Sequence, residues 1–447
     1  MEDVISLTGE LWRFAVDPNG EGIEQEWFLQ ENQPYLEEKT RIAVPSCWNR
    51  RSSTEFKDYE GVAWYWRTFR TPKSFSNKKV FLFFAQIAHK ATIYIDGLEI
   101  GSFHGAFLPF KFDISKFADN NTHFLAIRID GKPDANRYIS TEKVTEYFGI
   151  FGEVYIRTEK TLTLEERSME TVLRYDEISH KLNFAELTFS FYVKNAAEED
   201  YTGEISIKIT RDYVPVINIK RPIDVLKKNS RLSKIVVHIN KEDLELWTPK
   251  SPNLYKLSVR IGNDEGGMIY IDENIGIREI NVIGEQIMLN GAPFEIQGGD
   301  FPIDSEKYGY SNPRIDILDR FKRMKNQNIN TIRSNQGILT PFIIELASRY
   351  GFLTLVDIPV THLTTNEKQT FFNDYIDAIT YQPSVALYTI NFVLDPSDPK
   401  LNKLILDYEK MFTNRLDPTR YFLPVKTNFE AKTWYQEIDG KFIDTLK

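Results

Sequence analysis

A single cysteine, Cys47, in 447 residues excludes an internal disulfide framework, and a chain of this length has enough material for a core without one. Basic residues are in the minority. Against 64 Asp and Glu stand 55 Lys and Arg, a net charge of −9. No Lys/Arg-rich block interrupts the sequence, so a nucleic-acid partner or an anionic membrane surface is not expected. No run approaches the ~20 apolar residues that a spanning helix requires, which argues against membrane insertion. The six histidines, His89, His104, His123, His180, His238 and His362, show no HxxH or HExxH spacing, so no metal site is expected. Gly298-Gly299 is too short a match to a phosphate or dinucleotide loop, and no cofactor is implied. The opening MEDVISLTGELWRF is acidic and lacks a cationic segment leading into an apolar one, which predicts a cytoplasmic chain.

What is present is alternation. Up to about residue 157, segments such as Val80–Gln86, Ala91–Gly97 and His123–Gly131 are rich in β-branched and aromatic residues. Asp96-Gly97 and Asp130-Gly131 supply turn chemistry between them, and the pattern predicts an all-β sandwich. From about 158 to 280, the segments LNFAELTFSFYVKN, GEISIKI, SKIVVHI and NLYKLSVRI alternate apolar and polar residues, as strands with one buried face must. Their number and spacing predict a second sandwich of immunoglobulin-like type. Beyond about Leu289 short apolar strands alternate with amphipathic helices, which predicts a parallel sheet with helices outside. Asn312-Pro313 reads as the cap and first turn of one helix, with Ile317, Leu318, Phe321 and Met324 on its inner face. A helix over 341–350, a strand over 352–357, a helix carrying Phe371 to Ile379 and a strand over 385–392 follow. A further helix carries Leu401, Leu404, Ile405, Tyr408 and Met411, and the strand 421–427 comes after it.

Several segments carry a family resemblance. They are VPSCW (44–48), YEGVAWYWRTF (59–69), ATIYIDGLEIGSFHGAFLPFKFDIS (91–115), YFGIFGEVYI (147–156), ELWTPKSPNLYKLSV (245–259) and IGIREI (275–280). MLNGAPFEIQGGD (288–300), MKNQNINTIRSN (324–335), YGFLTLVDIP (350–359), YQPSVALYTIN (381–391) and RLDPTRYF (415–422) continue the series. Together they resemble glycoside hydrolase family 2, the β-galactosidases, β-glucuronidases and β-mannosidases. The resemblance implies a jelly-roll sugar-binding domain over 1–157, an immunoglobulin-like sandwich over 158–282 and a partial (β/α) TIM barrel over 283–447. It also implies a role in carbohydrate metabolism. Trp48, Trp64 and Trp66 have two readings, as sugar-stacking platforms or as core, and large aromatics usually fill cores. Cys47, beside Trp48, reads as a small buried residue.

Retaining glycosidases need an acid/base and a nucleophile carboxylate about 5–5.5 Å apart, and in a TIM barrel such groups stand at the carboxyl ends of strands. The family's acid/base is the Glu of an Asn-Glu pair ending the fourth strand. Laid on that pattern, QPSVALYTINFVLD puts Phe392 and Val393 at the pair. Neither side chain can donate a proton. Asp395, two residues on, is the nearest carboxylate to stand in for the Glu; its other reading is a turn residue before Pro396. After the first strand the family's Asn-Arg-His-Glu corresponds to Gly299, Asp300, Phe301 and Pro302-Ile303. After the second strand Arg333 is kept and Ser-His becomes Asn335-Gln336, and after the third Asp357 is kept while the Glu is Ile358. Asp300, Arg333, Asn335, Asp357 and Asn391 are therefore the candidate substrate-binding residues, with Arg333 and Asp357 equally readable as an ion pair ordering the barrel mouth. The stretch from Leu289 to Lys447 is shorter than the ~250 residues of a full barrel, and the family's nucleophile position would fall beyond it. The resemblance thus implies a catalytically degenerate protein acting in carbohydrate or partner binding. The alternatives are an active retaining β-glycosidase with a non-standard carboxylate pair and a protein-interaction scaffold. The open sheet edge predicts a cover, either the segment TWYQEIDGKFIDTLK (433–447), a protein partner or a second copy of the chain.

Overall fold

The computed structural model describes residues 4–9, 11–34, 41–50, 55–104, 109–131, 147–262, 268–284, 286–334, 338–358, 366–390, 419–423, 431–438 and 441–444, with scattered positions between 403 and 410. The chain forms two compact units. The first holds Met1–Lys160, Pro302–Asp316 and Thr361–Phe372, and the second holds Thr161–Phe301, Ile317–Val360 and Asn373–Lys447.

The first unit is antiparallel throughout its described sheets. A six-stranded sheet takes the order Arg41–Ala43, Leu11–Asp17, Val62–Arg70, Thr122–Asp130, Lys90–Ile95, Leu98–His104. A four-stranded sheet contains Val4–Ser6, Val154–Thr158, Val80–Phe84 and Phe110–Asp113, and three short strands form a third. The turn at Asp96-Gly97 joins Ile95 to its partner Leu98 with φ of 49° and 78°, the double positive φ that a two-residue hairpin requires. Asp130 is the last residue of its strand, paired with Val62 and Lys90. The central strand Val62–Arg70 is buried on both faces. Trp64 and Trp66 lie on one side with Trp27 and Tyr94, while Tyr65 meets Trp12 and Phe14 on the other. The loop 302–316 belongs to this unit: Tyr310 packs edge-on to Tyr147, and the Cys47 Sγ lies 3.9 Å from the Ser311 Oγ. Burial pushes the Cys47 thiol up to about 11, so it is an inert core residue at neutral pH.

In the second unit, seven strands make two facing antiparallel sheets. Leu162–Tyr175, Leu182–Asn195 and Asn229–Asn240 form one, and Val214–Val225, Tyr201–Arg211, Tyr255–Ile261 and Met268–Ile275 form the other. The alternation read from the sequence becomes the core: Leu187, Phe189, Phe191 and Val193 face Ile205, Ile207, Leu257 and Val259.

A small antiparallel sheet of Ile280–Ile283, Gln286–Leu289 and Ala292–Pro293 follows, and the largest sheet of this unit has seven described strands. We label them β1 (Ile296–Phe301), β2 (Thr331–Ser334), β3 (Leu353–Ile358), β4 (Val385–Ile390), β5 (Tyr421–Leu423), β6 (Ala431–Ile438) and β7 (Lys441–Asp444). Their order is β5-β4-β3-β2-β1-β6-β7, parallel except for the antiparallel β6–β7 pair. The segment expected as an edge cover therefore adds a sixth parallel strand beside β1. Among the described residues β5 pairs only with β4.

Three helices follow the early strands: α1 (Arg314–Asn326), α2 (Pro341–Tyr350) and α3 (Asn366–Ile379). The α2 boundaries match the sequence reading, because the Thr340 Oγ1 accepts from the Ile343 N–H at 3.3 Å and Gly351 ends the helix at φ 73°, an N-cap and a left-handed stop. A Cβ at Gly351 would stand 2.3 Å from the Pro249 carbonyl oxygen. In α1, Ile317, Phe321 and Met324 are buried as expected, and so is Arg320, whose guanidinium lies over the Phe301 ring. Asn312 is not the expected side-chain cap. Its amide donates to the carbonyls of Ile303 and Gly309, and its Oδ1 has no hydrogen-bond partner. The loop takes the amide before the helix can. Leu401, Leu404, Ile405, Tyr408 and Met411 lie outside the described residues.

Candidate functional site

All parallel strands end on the same side of a sheet, so polar residues at their carboxyl ends gather in one place. Asp300 closes β1 one residue from its end, in register with Arg333 of β2. Asp357 of β3 stands in register with Thr389 of β4. The long Arg333 side chain crosses to the neighbouring strand and meets Asp357 in a fork. Nε lies 3.0 and 2.9 Å from the two carboxylate oxygens, and Nη2 lies 2.6 Å from Oδ1. The Thr389 hydroxyl donates to the same Oδ1 and also lies 3.5 Å from Nη2.

Both charged groups are withdrawn from water, with side-chain exposures of 14% and 7%. Burial pulls the Arg333 pKa down, but the hydrogen bonds and charge of Asp357, with the charge of Asp300 behind it, hold it above its usual value. Planar bidentate geometry is what makes such a pair worth its desolvation. The Tyr375 hydroxyl donates to the Leu339 carbonyl at 2.7 Å, and burial together with the negative charge of Asp357 keeps its pKa well above the ordinary phenol value.

Of the residues singled out in the sequence, the structure brings Arg333 and Asp357 into contact and sets the half-buried Asp300 on the adjoining strand. Asn335, Asn391, Asp395 and the Phe392-Val393 pair lie outside the described residues. Trp48, Trp64 and Trp66 are 1%, 0% and 0% exposed, so the stacking-platform reading gives way to the core reading. Each indole N–H is also occupied, donating to the Tyr59 carbonyl, the Asp17 carboxylate and the Trp27 carbonyl. No ring face is left for a sugar. Among the described residues no cluster of His, Cys, Asp and Glu has the geometry to hold a metal ion, and no helix is long and apolar enough to cross a membrane.

Thr389 was not anticipated. The signal was a small polar threonine in the otherwise hydrophobic and aromatic strand VALYTI, and only the parallel register shows that it meets Asp357. A second unanticipated feature anchors the other end of β4. Arg278 Nε donates to the Pro383 carbonyl at 2.9 Å and Nη2 to that of Val385, while Arg420 donates to Val385 and Thr380 at 3.0 Å each. The sequence marked Arg278 only as part of IGIREI.

Residues 4–160 match the family described as Glycosyl hydrolases family 2, sugar binding domain, and residues 170–278 match Glycosyl hydrolases family 2. A β-glucuronidase of Paenibacillus borealis is 25% identical over 401 residues, 86% of this chain and 62% of that protein. A β-galactosidase of Priestia megaterium is 23% identical over 83% of this chain and 37% of its own length. The chain thus spans less than two thirds of these curated relatives. Among solved structures, a β-glucuronidase from Ruminococcus gnavus in complex with N1-substituted uronic isofagomine superposes with a TM-score of 0.75 at 20% identity, over 98% of this chain and 76% of that one. A β-galacturonidase from Eisenbergiella tayi bound to galacturonate gives 0.73 at 19% identity, over 96% and 72%. At this identity the two structures speak for the fold alone. Two family matches in chain order, together spanning more than half of the chain, lead to one conclusion: the chain belongs to glycoside hydrolase family 2.

Proposed function

We propose that this chain binds carbohydrate at the carboxyl ends of β1–β4 without hydrolysing it. Val393 carries this reading. It stands where the family's acid/base Glu is expected, and a hydrocarbon side chain cannot protonate a leaving-group oxygen. The reading rests on that substitution and not on the length of the chain. Arg333 and Asp357 support it, since the fork spends the guanidinium on a neighbouring carboxylate. Asp300, Arg333, Asn335, Asp357 and Asn391 are the residues proposed to line the site. The domain reading that goes with it is a jelly roll over 1–157, an immunoglobulin-like sandwich over 158–282 and a partial TIM barrel over 283–447. The ligand class is a terminal β-linked sugar, of the glucuronide or galactoside kind named in the relatives.

A panel of 4-nitrophenyl β-glycosides tests the proposal alongside calorimetry with the free sugars. The expected result is no nitrophenol release above the Asp395→Asn control, with a sugar-binding isotherm lost in Asp300→Asn. Turnover abolished by Asp395→Asn overturns the loss of catalysis in favour of a non-standard acid. The absence of any isotherm overturns the carbohydrate reading.

A further inference from the structure

The polar layer at the carboxyl ends of β1–β4 rests on an apolar one. Ile296, Leu353, Leu355 and Leu387 are buried together, and Leu355 and Leu387 stand two residues before Asp357 and Thr389 on their strands. Arg333 is in register with Leu355, so its side chain climbs one layer to reach Asp357. Charges held over hydrocarbon are screened less than charges in water, and polar atoms withdrawn from water need partners. The donors and acceptors that the protein leaves unengaged therefore decide what a ligand must bring.

Among the described side chains of this layer, nearly every donor is engaged. Arg333 Nε serves both oxygens of Asp357 at 3.0 and 2.9 Å, and Nη2 serves Oδ1 at 2.6 Å. The Thr389 hydroxyl gives its one proton to the same Oδ1. The buried Tyr375 hydroxyl gives its own to the Leu339 carbonyl at 2.7 Å. Of the guanidinium, only Nη1 stays outside the fork. The acceptors are less used. An ionised carboxylate has about four lone-pair sites, and Oδ2 of Asp357 receives one contact, from Nε. Asp300 brings a further carboxylate in register with Arg333, and its charge falls on the same guanidinium. One cation thus answers two carboxylates.

We propose that the site takes uncharged sugars and rejects sugar acids of the same shape. The inference rests on the carbohydrate reading above and narrows it. Pyranose hydroxyls donate to Asp300 or Asp357 and accept from Arg333 Nη1, so a ring edge lined with hydroxyls matches a surface rich in acceptors. A ligand carboxylate brings acceptors only. To be held it needs the two-nitrogen fork that Asp357 already occupies; otherwise it sits desolvated beside like charges. Opening the fork to free the guanidinium does not help. Asp357 would then be stranded over the hydrocarbon layer, which costs more than the one new ion pair returns.

Calorimetry of the full natural chain at neutral pH tests this with three methyl β-glycosides of one ring configuration. They differ only in the group on the ring: a hydroxymethyl, a carboxylate or a carboxamide. The carboxamide has the size and shape of the carboxylate without its charge, and it adds N–H donors. The series is run in the gluco and the galacto configuration. In the configuration that fits, the amide is expected to bind comparably to the hydroxymethyl sugar, and the carboxylate at least about tenfold more weakly than the amide. A carboxylate that binds as tightly as the amide overturns the inference and leaves the carbohydrate reading standing. An amide as weak as the carboxylate makes size the cause and overturns it as well. No isotherm for any member of either series overturns the carbohydrate reading, and the inference with it.

Discussion

The six-stranded antiparallel sheet of the first unit and the parallel sheet of the second place their polar groups in opposite ways. In the first, the central strand is buried on both faces, and buried polar groups serve the core: Asp17 accepts from the Trp64 indole and from the amides of Glu21 and Gly22. A Cβ on Gly22 would come within 2.5 Å of that indole nitrogen, so the covering segment follows the ring closely. In the second, the middles of β3 and β4 are apolar, and the charged residues Asp300, Arg333 and Asp357 sit toward the carboxyl ends. Antiparallel neighbours end on opposite sides, whereas parallel ones end together. Aromatic content alone therefore says little about where a ligand binds, while a parallel sheet makes one end chemically distinct.

The sharpest break in this comparison comes from Trp66→Ala. Removing a fully buried indole should cost about 3–5 kcal/mol, read as a lowered urea midpoint, with sugar affinity unchanged at temperatures where the fold persists. Affinity lost without loss of stability would make the indole a ligand platform after all.

Next in size is Arg333→Leu, which strands Asp357 in the interior and should cost about 3 kcal/mol. The double variant Arg333→Leu, Asp357→Leu should recover most of this, because the penalty lies in the unpaired charge. A double variant as unstable as the single one would show that the fork shapes the sheet in some other way.

The smallest effect concerns the first unit alone. His123 is clasped by two carboxylates, Asp96 at 2.6 Å and Asp119 at 2.8 Å. Burial works against its charged form, but the two partners outweigh this and raise its pKa above 6.5. With the folded value raised, the stabilisation is complete in acid and is lost as pH climbs through that value. The urea midpoint should accordingly decline from pH 6.5 upward in the natural chain and stay flat in His123→Gln. Equal slopes in the two proteins would remove the clasp from the account.

Local chemistry made much of this legible beforehand. The alternation of LNFAELTFSFYVKN became the strand Leu182–Asn195 residue for residue, because a period of two with one apolar face has a single good solution. Thr340-Pro341 and Gly351 bounded α2 for equally local reasons. Asn290-Gly291, a pair that favours positive φ, turns the chain between the paired Leu289 and Ala292 at φ of 53° and 80°. The proposal that Val393 stands in place of the family's acid/base Glu likewise rests on residue identity and needs no coordinates.

Register and burial were settled only in three dimensions. No sequence pattern distinguishes a buried Trp64 from an exposed one, since a covering segment 40 residues away makes the difference. Strand Ala431–Ile438 chose β1 as its neighbour, a pairing between residues more than a hundred positions apart. The fork of Arg333 with Asp357 and the hydroxyl of Thr389 follow from the same cause. Interactions close in sequence are dictated by propensity, while those distant in sequence depend on which surfaces the packed chain brings together.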